Sequence, residues 1–193
     1  WNGIELKQRW VFDSNNPENH LYASQGNHNL RVADVDGDGC DEIIYGSCAI
    51  DHTGKGLYST GMGHGDAIHL TQFDPYNQKL QVWDCHENKH DGSSFRDAAT
   101  GKVIFQIKSN KDVGRAMAAD IDPNNAGVEM WSLDSGGIRN NKGEIVHREM
   151  NNIPINMAIW WDGDLLRELL NRNTISKYNW NNETCEPVIV FEG

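Results

Sequence analysis

The stretch NLRVADVDGDGCDEIIYGS, residues 29–47, sets carboxylates at Asp34, Asp36, Asp38 and Glu42 with Gly37 and Gly39 between them. Counted from Asp34, side-chain oxygens fall at positions 1, 3, 5 and 9, and the Cys40 backbone carbonyl stands at position 7. Calcium takes six to eight oxygens at ~2.3–2.6 Å and tolerates flexible geometry. Glycine lets a chain curl tightly enough for such oxygens to converge. The alternative is a solvated acidic turn. Asp120, Asp122, Asn124 and Glu129 make a looser copy of the spacing, and Asp162, Asp164 and Glu168 another. A fourth place keeps only Asp74 and reads as an ordinary turn.

A sparser set lies elsewhere. In GMGHGDAIH (61–69), His64 and Asp66 are two residues apart and share one side of an extended segment. Gly61, Gly63 and Gly65 leave room for something to approach the backbone there. Asn27-His28 and Cys85-His86-Glu87-Asn88 carry similar residue types. Spacing alone leaves two readings open: separate surface residues, or a shared metal site, for which imidazole ligands would favour a transition metal over calcium. SSFRDAATG carries Arg96 and Asp97, and KDVGRAMAAD carries Lys111 and Arg115. A guanidinium reads a substrate carboxylate through its planar fork, so Arg96 and Arg115 are candidate substrate-binding residues. Strand-end salt bridges are the competing account. Serine-nucleophile elbows, phosphate-binding loops and dinucleotide fingerprints are absent.

These residues sit in a repeat. VADVDGDGCDEIIYGS (32–47), LTQFDPYNQKLQVWDC (70–85), AADIDPNNAGVEMWSL (118–133) and AIWWDGDLLRELLNRN (158–173) superimpose. Each runs from an apolar lead-in to an Asp (Asp36, Asp74, Asp122, Asp162), a short turn, a Glu or Gln (Glu42, Gln81, Glu129, Glu168) and further apolar residues. The aspartates lie 38, 48 and 40 residues apart, a period that suits a four-stranded propeller blade. EIIYGSCAI, LQVWDC, VEMWSL and KVIFQIK are rich in β-branched and aromatic residues and predict strands, with a turn at Thr100-Gly101. DLLRELL favours helix by propensity, but its place in the repeat predicts a strand. The expected fold is all-β: a calcium-stapled β-propeller of about four blades, near residues 30–55, 67–108, 115–150 and 156–193. Four blades are too few to close a propeller of typical size, so the chain is expected to be half of a larger wheel or to complete a ring with a second chain. Open edge strands make self-association a further expectation.

Composition bounds the function. The chain has 193 residues, enough for one domain, and no apolar run of the ~20 residues that span a bilayer. It begins at Trp1, with no signal-peptide pattern, and reads as a processed product or a piece of a longer protein. A net charge of −11 argues against nucleic acid or an anionic membrane as partner, and an anionic ligand would need help from a bound cation. Cys40, Cys48, Cys85 and Cys185 form no C-x-x-C pair. If 43–49 is extended, Cys40 and Cys48 lie ~25 Å apart and cannot bridge, so reduced, buried thiols are expected.

Taken together, GNHNLRVADVDGDGCDEIIYGS, GKGLYSTGMGHGDAIHL, FRDAATGK, DVGRAMAADIDP and WWDGDLLREL resemble the rhamnogalacturonan lyases of polysaccharide lyase family eleven. The similarity runs from about Gln25 to Lys177. It implies an eight-bladed propeller with many calcium ions, of which this chain would be the central portion. It implies cleavage of the rhamnose–galacturonate backbone of pectin (rhamnogalacturonan I) by β-elimination, endo or exo, and a secreted, periplasmic or cell-surface setting. The family's catalytic-face calcium would fall on His28, His64, Asp66 and Glu87, and its important arginine on Arg115 as a catalytic residue. A lysine proposed for the chemistry lies beyond Gly193, and Lys177 is not assigned to it. On this reading the Asp loops are structural staples, and the chain alone would hold the metal and part of the subsite wall without being active. The alternative is a non-catalytic calcium-binding propeller module for carbohydrate or protein, as in integrin-like repeats; the His-containing set discriminates, since a purely structural module has no need of it.

Overall fold

The computed structural model describes residues 3–148, 150 and 152–192. Sixteen strands among them form four sheets of four. The first sheet comprises β1 (Arg31–Ala33), β2 (Glu42–Tyr45), β3 (Cys48–Ile50) and β4 (Gly56–Ser59). The second comprises β5 (Gly65–Thr71), β6 (Gln81–His86), β7 (Ser93–Asp97) and β8 (Val103–Ile107). The third comprises β9 (Ala116–Ala119), β10 (Glu129–Ser132), β11 (Ile138–Arg139) and β12 (Ile145–His147). The fourth comprises β13 (Met157–Ile159), β14 (Glu168–Asn171), β15 (Thr174–Asn179) and β16 (Thr184–Val190). Strands pair antiparallel in sequence order within every sheet. Among the described residues one 3₁₀ turn, Pro17–Tyr22, precedes them, and no helix there is long and apolar enough to cross a membrane.

The all-β content agrees with the sequence, but the propeller expectation is corrected. The four sheets are separate, none closes on itself, and they form no ring among the described residues. The physical reason is that a period near forty residues counts the strands in one unit. Ring closure depends on sheet twist and on a contact between first and last units, neither of which the period encodes. EIIYGSCAI, read as one extended run, is a hairpin: Tyr45 pairs with Cys48 across Gly46-Ser47. Gly46 has φ +62°, and a Cβ there would meet the Gln25 carbonyl oxygen at 2.6 Å, so only glycine fits this turn. The premise that separated Cys40 from Cys48 therefore fails, although all four cysteines are free. Cys48 and Cys85 are buried, whereas Cys40 is exposed and Cys185 half-buried. Burial pushes the Cys48 thiol up to about 11 and those of Cys85 and Cys185 to about 12.

Three apolar clusters bind successive sheets. Ile44, Ala49, Ile68, Val82 and Ala98 join the first to the second. Phe73, Trp83, Phe95, Ala116 and Met130 join the second to the third. Met117, Trp131, Ile138, Leu169 and Tyr178 join the third to the fourth. Trp83 and Trp131 occupy equivalent places on β6 and β10 and are both fully buried. The Trp83 indole donates to the Trp131 carbonyl (3.2 Å) and the Trp131 indole to that of Pro154 (3.2 Å). Large ring area and a satisfied N–H thus recur at the second and third of these junctions, and truncating either ring to Ala is expected to cost about 3–5 kcal/mol.

Candidate metal centre

Each repeat closes its loop by one device. A Glu or Gln at the start of the second strand turns back and accepts the backbone N–H of a residue seven or eight places earlier. Val35 N donates to Glu42 (3.0 Å), Phe73 N to Gln81 (3.0 Å), Ile121 N to Glu129 (2.9 Å) and Trp161 N to Glu168 (3.1 Å). All four side chains are buried. Gln81 spends its remaining group by donating to the Lys79 carbonyl (2.7 Å). The second oxygens of Glu42 and Glu129 accept no hydrogen bond. A buried carboxylate oxygen left in this state is costly unless something positive meets it.

The loops differ in what they gather. Asp34, Asp36 and Glu42 each bring an oxygen within 4.8 Å of the others. Asp34 accepts Gly37 N (2.7 Å) and Gly39 N (2.9 Å), which curls the loop around it, and Gly37 and Gly39 adopt φ +83° and +90°. Asp38 and Cys40 fall in a neighbouring group with His52. His52, which sequence reasoning missed, lies with Nδ1 3.3 Å from Asp38 and 3.5 Å from Glu42. In the third repeat, Asp120, Asp122 and Glu129 do not converge in this way. Asp122 is taken up by Asn124 (2.9 Å), Asn125 (2.8 Å) and His147 Nε2 (2.6 Å). Burial pushes the Glu129 carboxyl up to about 8, and raises Asp120 with help from Asp122. In the fourth, Asp162, Asp164 and Glu168 do converge, and the Lys177 ammonium stands among them at 2.5, 2.5 and 3.1 Å. Burial alone would lower the Lys177 ammonium; its bonds to Asp162, Asp164 and Glu168 outweigh that and raise it.

The sparser set comes together at the junction of the first two sheets. His28 precedes β1, His64 directly precedes β5, Asp66 lies at the start of β5, and Glu87 follows β6. Their ligand atoms all lie within 4.8 Å of one another. His28 Nε2 is 3.1 Å from Asp66 Oδ1, His64 Nε2 is 3.6 Å from Glu87 Oε1, and the two rings meet edge to face at 4.9 Å. Two imidazole nitrogens and two carboxylates form a donor set that fits a divalent cation. The flanking glycines serve the protein itself. A Cβ on Gly63 would meet the Asn88 amide at 2.2 Å, and one on Gly65 the Cys85 carbonyl at 2.3 Å.

Arg115 is exposed just before β9, beside Gly114, where an added Cβ would lie 3.3 Å from Asp66 Oδ2. Arg115 and Asp66 line one cleft, together with Arg31, Trp160 and Arg167. Arg96, the other candidate for substrate, is fully buried. It pairs with Asp84 (3.2 Å), also fully buried, so it cannot reach a ligand and that expectation is corrected. Lys111 binds Asp134 (3.1 Å) and Asp97 caps the Thr100 turn (2.9 Å); both are local.

The whole chain, residues 1–193, matches the model described as rhamnogalacturonan lyase family 11, C-terminal domain. The chain belongs to this family. It is 49% identical to the Bacillus subtilis rhamnogalacturonan endolyase YesW over 98% of its length, and 49% identical to the rhamnogalacturonan exolyase YesX of the same organism over 95%. It spans 30% of each of these relatives. Among solved structures, a Bacillus licheniformis rhamnogalacturonan lyase PL11 is 51% identical with a TM-score of 0.90, covering 98% of this chain and 32% of that one. The exotype YesX structure is 46% identical with a TM-score of 0.91, covering 100% of this chain and 34% of its own. The matched family 11 model describes a C-terminal domain. Equal identity to an endolyase and an exolyase means that overall similarity in this domain does not separate the two modes.

Proposed function

We propose that this chain is the metal-bearing part of a calcium-dependent rhamnogalacturonan lyase that cleaves the rhamnose–galacturonate backbone of pectin by β-elimination. The observation that carries the reading is the convergence of His28, His64, Asp66 and Glu87, with Asp66 lining one cleft together with the exposed Arg115, in a protein of net charge −11. A polyanion needs local positive charge to settle on such a surface. A cation at this set would neutralise the galacturonate carboxylate, whose charge otherwise opposes loss of the adjacent carbon-5 proton. Arg115 can hold the same carboxylate through its fork. It serves poorly as base, since guanidinium stays protonated in proteins. Lys177 is unsuited as well: it is committed to three carboxylates, and a base must be free to lose its proton near neutral pH. The base is therefore supplied by the remainder of a longer enzyme, and this domain alone is expected to bind without turning over. A polysaccharide of this kind is met outside the cell, which supports a secreted, periplasmic or cell-surface setting. Calcium at the first Asp loop is structural, filling the demand of the free Glu42 oxygen.

The test is digestion of rhamnogalacturonan by the full-length parent with and without chelator, following ultraviolet absorbance of the unsaturated product. Calcium-dependent product that falls at least a hundredfold in Asp66→Ala and Arg115→Ala is expected. No product from the parent in saturating calcium overturns the reading.

A further inference from the structure

Beneath the metal set lies a buried polar network that the proposed chemistry does not use. Asn27, Ser47, Asp84, His86, Ser94 and Arg96 are each 0–2% exposed. Arg96 donates from Nη1 to Asp84 Oδ2 (3.2 Å) and Ser94 Oγ (3.3 Å), and from Nη2 to the Gly46 carbonyl. The other Asp84 oxygen accepts from Asn27 Nδ2 (3.1 Å). Ser47 Oγ donates to the Gly63 carbonyl (2.7 Å) and lies 3.3 Å from His86 Nδ1, while His86 Nε2 lies 2.8 Å from Ser94 Oγ.

Counting protons fixes the direction of this network. Ser47 spends its one hydrogen on Gly63, so His86 Nδ1–H must donate to Ser47. A neutral His86 then accepts at Nε2 from the Ser94 hydroxyl, which in turn accepts from Arg96. One ordered chain thus runs from Arg96 through Ser94, His86 and Ser47 to Gly63. A second arm runs from Arg96 through Asp84 to Asn27.

The end points are what matter. Asn27 precedes His28, Gly63 precedes His64, and His86 precedes Glu87. Backbone bonds knit the same segments: Gly65 N to Gly26 O (3.1 Å) and Glu87 N to His64 O (3.0 Å). Three ligand-bearing segments, from two sheets, are thereby referred to one guanidinium. A buried ion pair is weak evidence for stability, because desolvation offsets the attraction. Its directional bonds can still fix geometry, and partners of this kind hold metal ligands in place.

We propose that Arg96 is a positioning residue for the cation site: through Asp84 and Ser94 it fixes the segments carrying His28, His64 and Glu87, and so sets the site's affinity without touching the cation. This rests on the reading of that set as a divalent-cation site. The test is calorimetric titration of the full 193-residue chain with calcium, with melting temperatures in chelator as a second readout. Asp66→Ala identifies the site by removing one calcium equivalent. Arg96→Lys keeps the charge but loses the fork, and is expected to weaken that equivalent ~10- to 100-fold while the remaining equivalents keep their affinity. Ser94→Ala, a smaller change, should weaken it in the same direction and decides the matter if Arg96→Lys does not fold. If Asp66→Ala leaves the stoichiometry unchanged, the metal reading fails. If Asp66→Ala removes an equivalent whose affinity neither Arg96→Lys nor Ser94→Ala alters, or if every site weakens equally, Arg96 is only a structural residue and the proposal is overturned.

Discussion

The first and fourth Asp loops share a motif and solve its charge problem differently. In both, two aspartates and a buried Glu converge, and the Glu accepts a backbone N–H from inside the loop. In the fourth, Lys177 reaches across from β15 and supplies the positive charge covalently. In the first, His52 stays at 3.5 Å and Glu42 keeps an oxygen without a hydrogen bond. The second loop shows the limiting case, where Gln81 satisfies itself and little acid remains. A carboxylate cluster therefore predicts a need for positive charge, and its surroundings decide whether a side chain or a free ion meets that need.

Four experiments would break or sharpen this contrast. The largest effect is expected in the first loop. A filled site stabilises by about 4 kcal/mol when calcium stands at a thousand times its dissociation constant. Glu42→Gln should remove that increment by turning loop one into loop two, with little change in chelator; denaturant melts with and without calcium measure both. An undiminished increment would mean that calcium acts elsewhere.

A control outside both loops comes next. His69 donates from Nε2 to the Ala116 carbonyl (3.1 Å), and burial pushes its pKa down to about 4. A depressed histidine favours the neutral folded form, so its contribution is complete above the unfolded value near 6.5 and is lost as pH falls from there through about 4. At most about 3 kcal/mol disappears over that window. His69→Gln should flatten the slope, as stability against pH would show, while leaving calcium binding at the first loop unchanged.

Lys177→Met should have a smaller effect on stability and a qualitative one on stoichiometry. The fourth loop would lose its tethered cation, melt lower in chelator and take up one additional calcium per chain. No added equivalent would mean that the loop's shape, rather than Lys177, excludes calcium. Asp164→Asn should do least, because Asp162 and Glu168 still hold the ammonium; a melting curve close to that of the parent sequence is expected.

What the sequence revealed followed from local rules. Strands β6, β8, β10 and β14 lie where β-branched and aromatic runs, or the repeat, put them. The convergence of Asp34, Asp36 and Glu42 is a matter of spacing within nine residues. Partners that arrive from another strand were harder to see. His52, His147 and Lys177 lie nine to eighteen residues beyond the Glu of their repeats, and register brings them back. Arg96 was misjudged because its charge suggested a surface role. Its alternation with Ser94 on β7 puts both on one face, and only the packing of the first sheet against the second shows that this face is sealed. His28, His64 and Glu87 had no spacing signal; the family resemblance singled them out.

The range of the two kinds of site along the chain has a consequence in time. The first Asp loop closes within nine residues, so its ligands can meet as soon as that turn forms. The His28–Glu87 set spans two sheets and waits for them to dock, because distant segments pay more closure entropy and contact-rich, long-range structure forms late. During refolding in calcium, the ion would therefore be captured early at the Asp loop and late at the His-containing set. Rapid-mixing experiments would then resolve two uptake phases, the slower one keeping pace with the docking of the first two sheets.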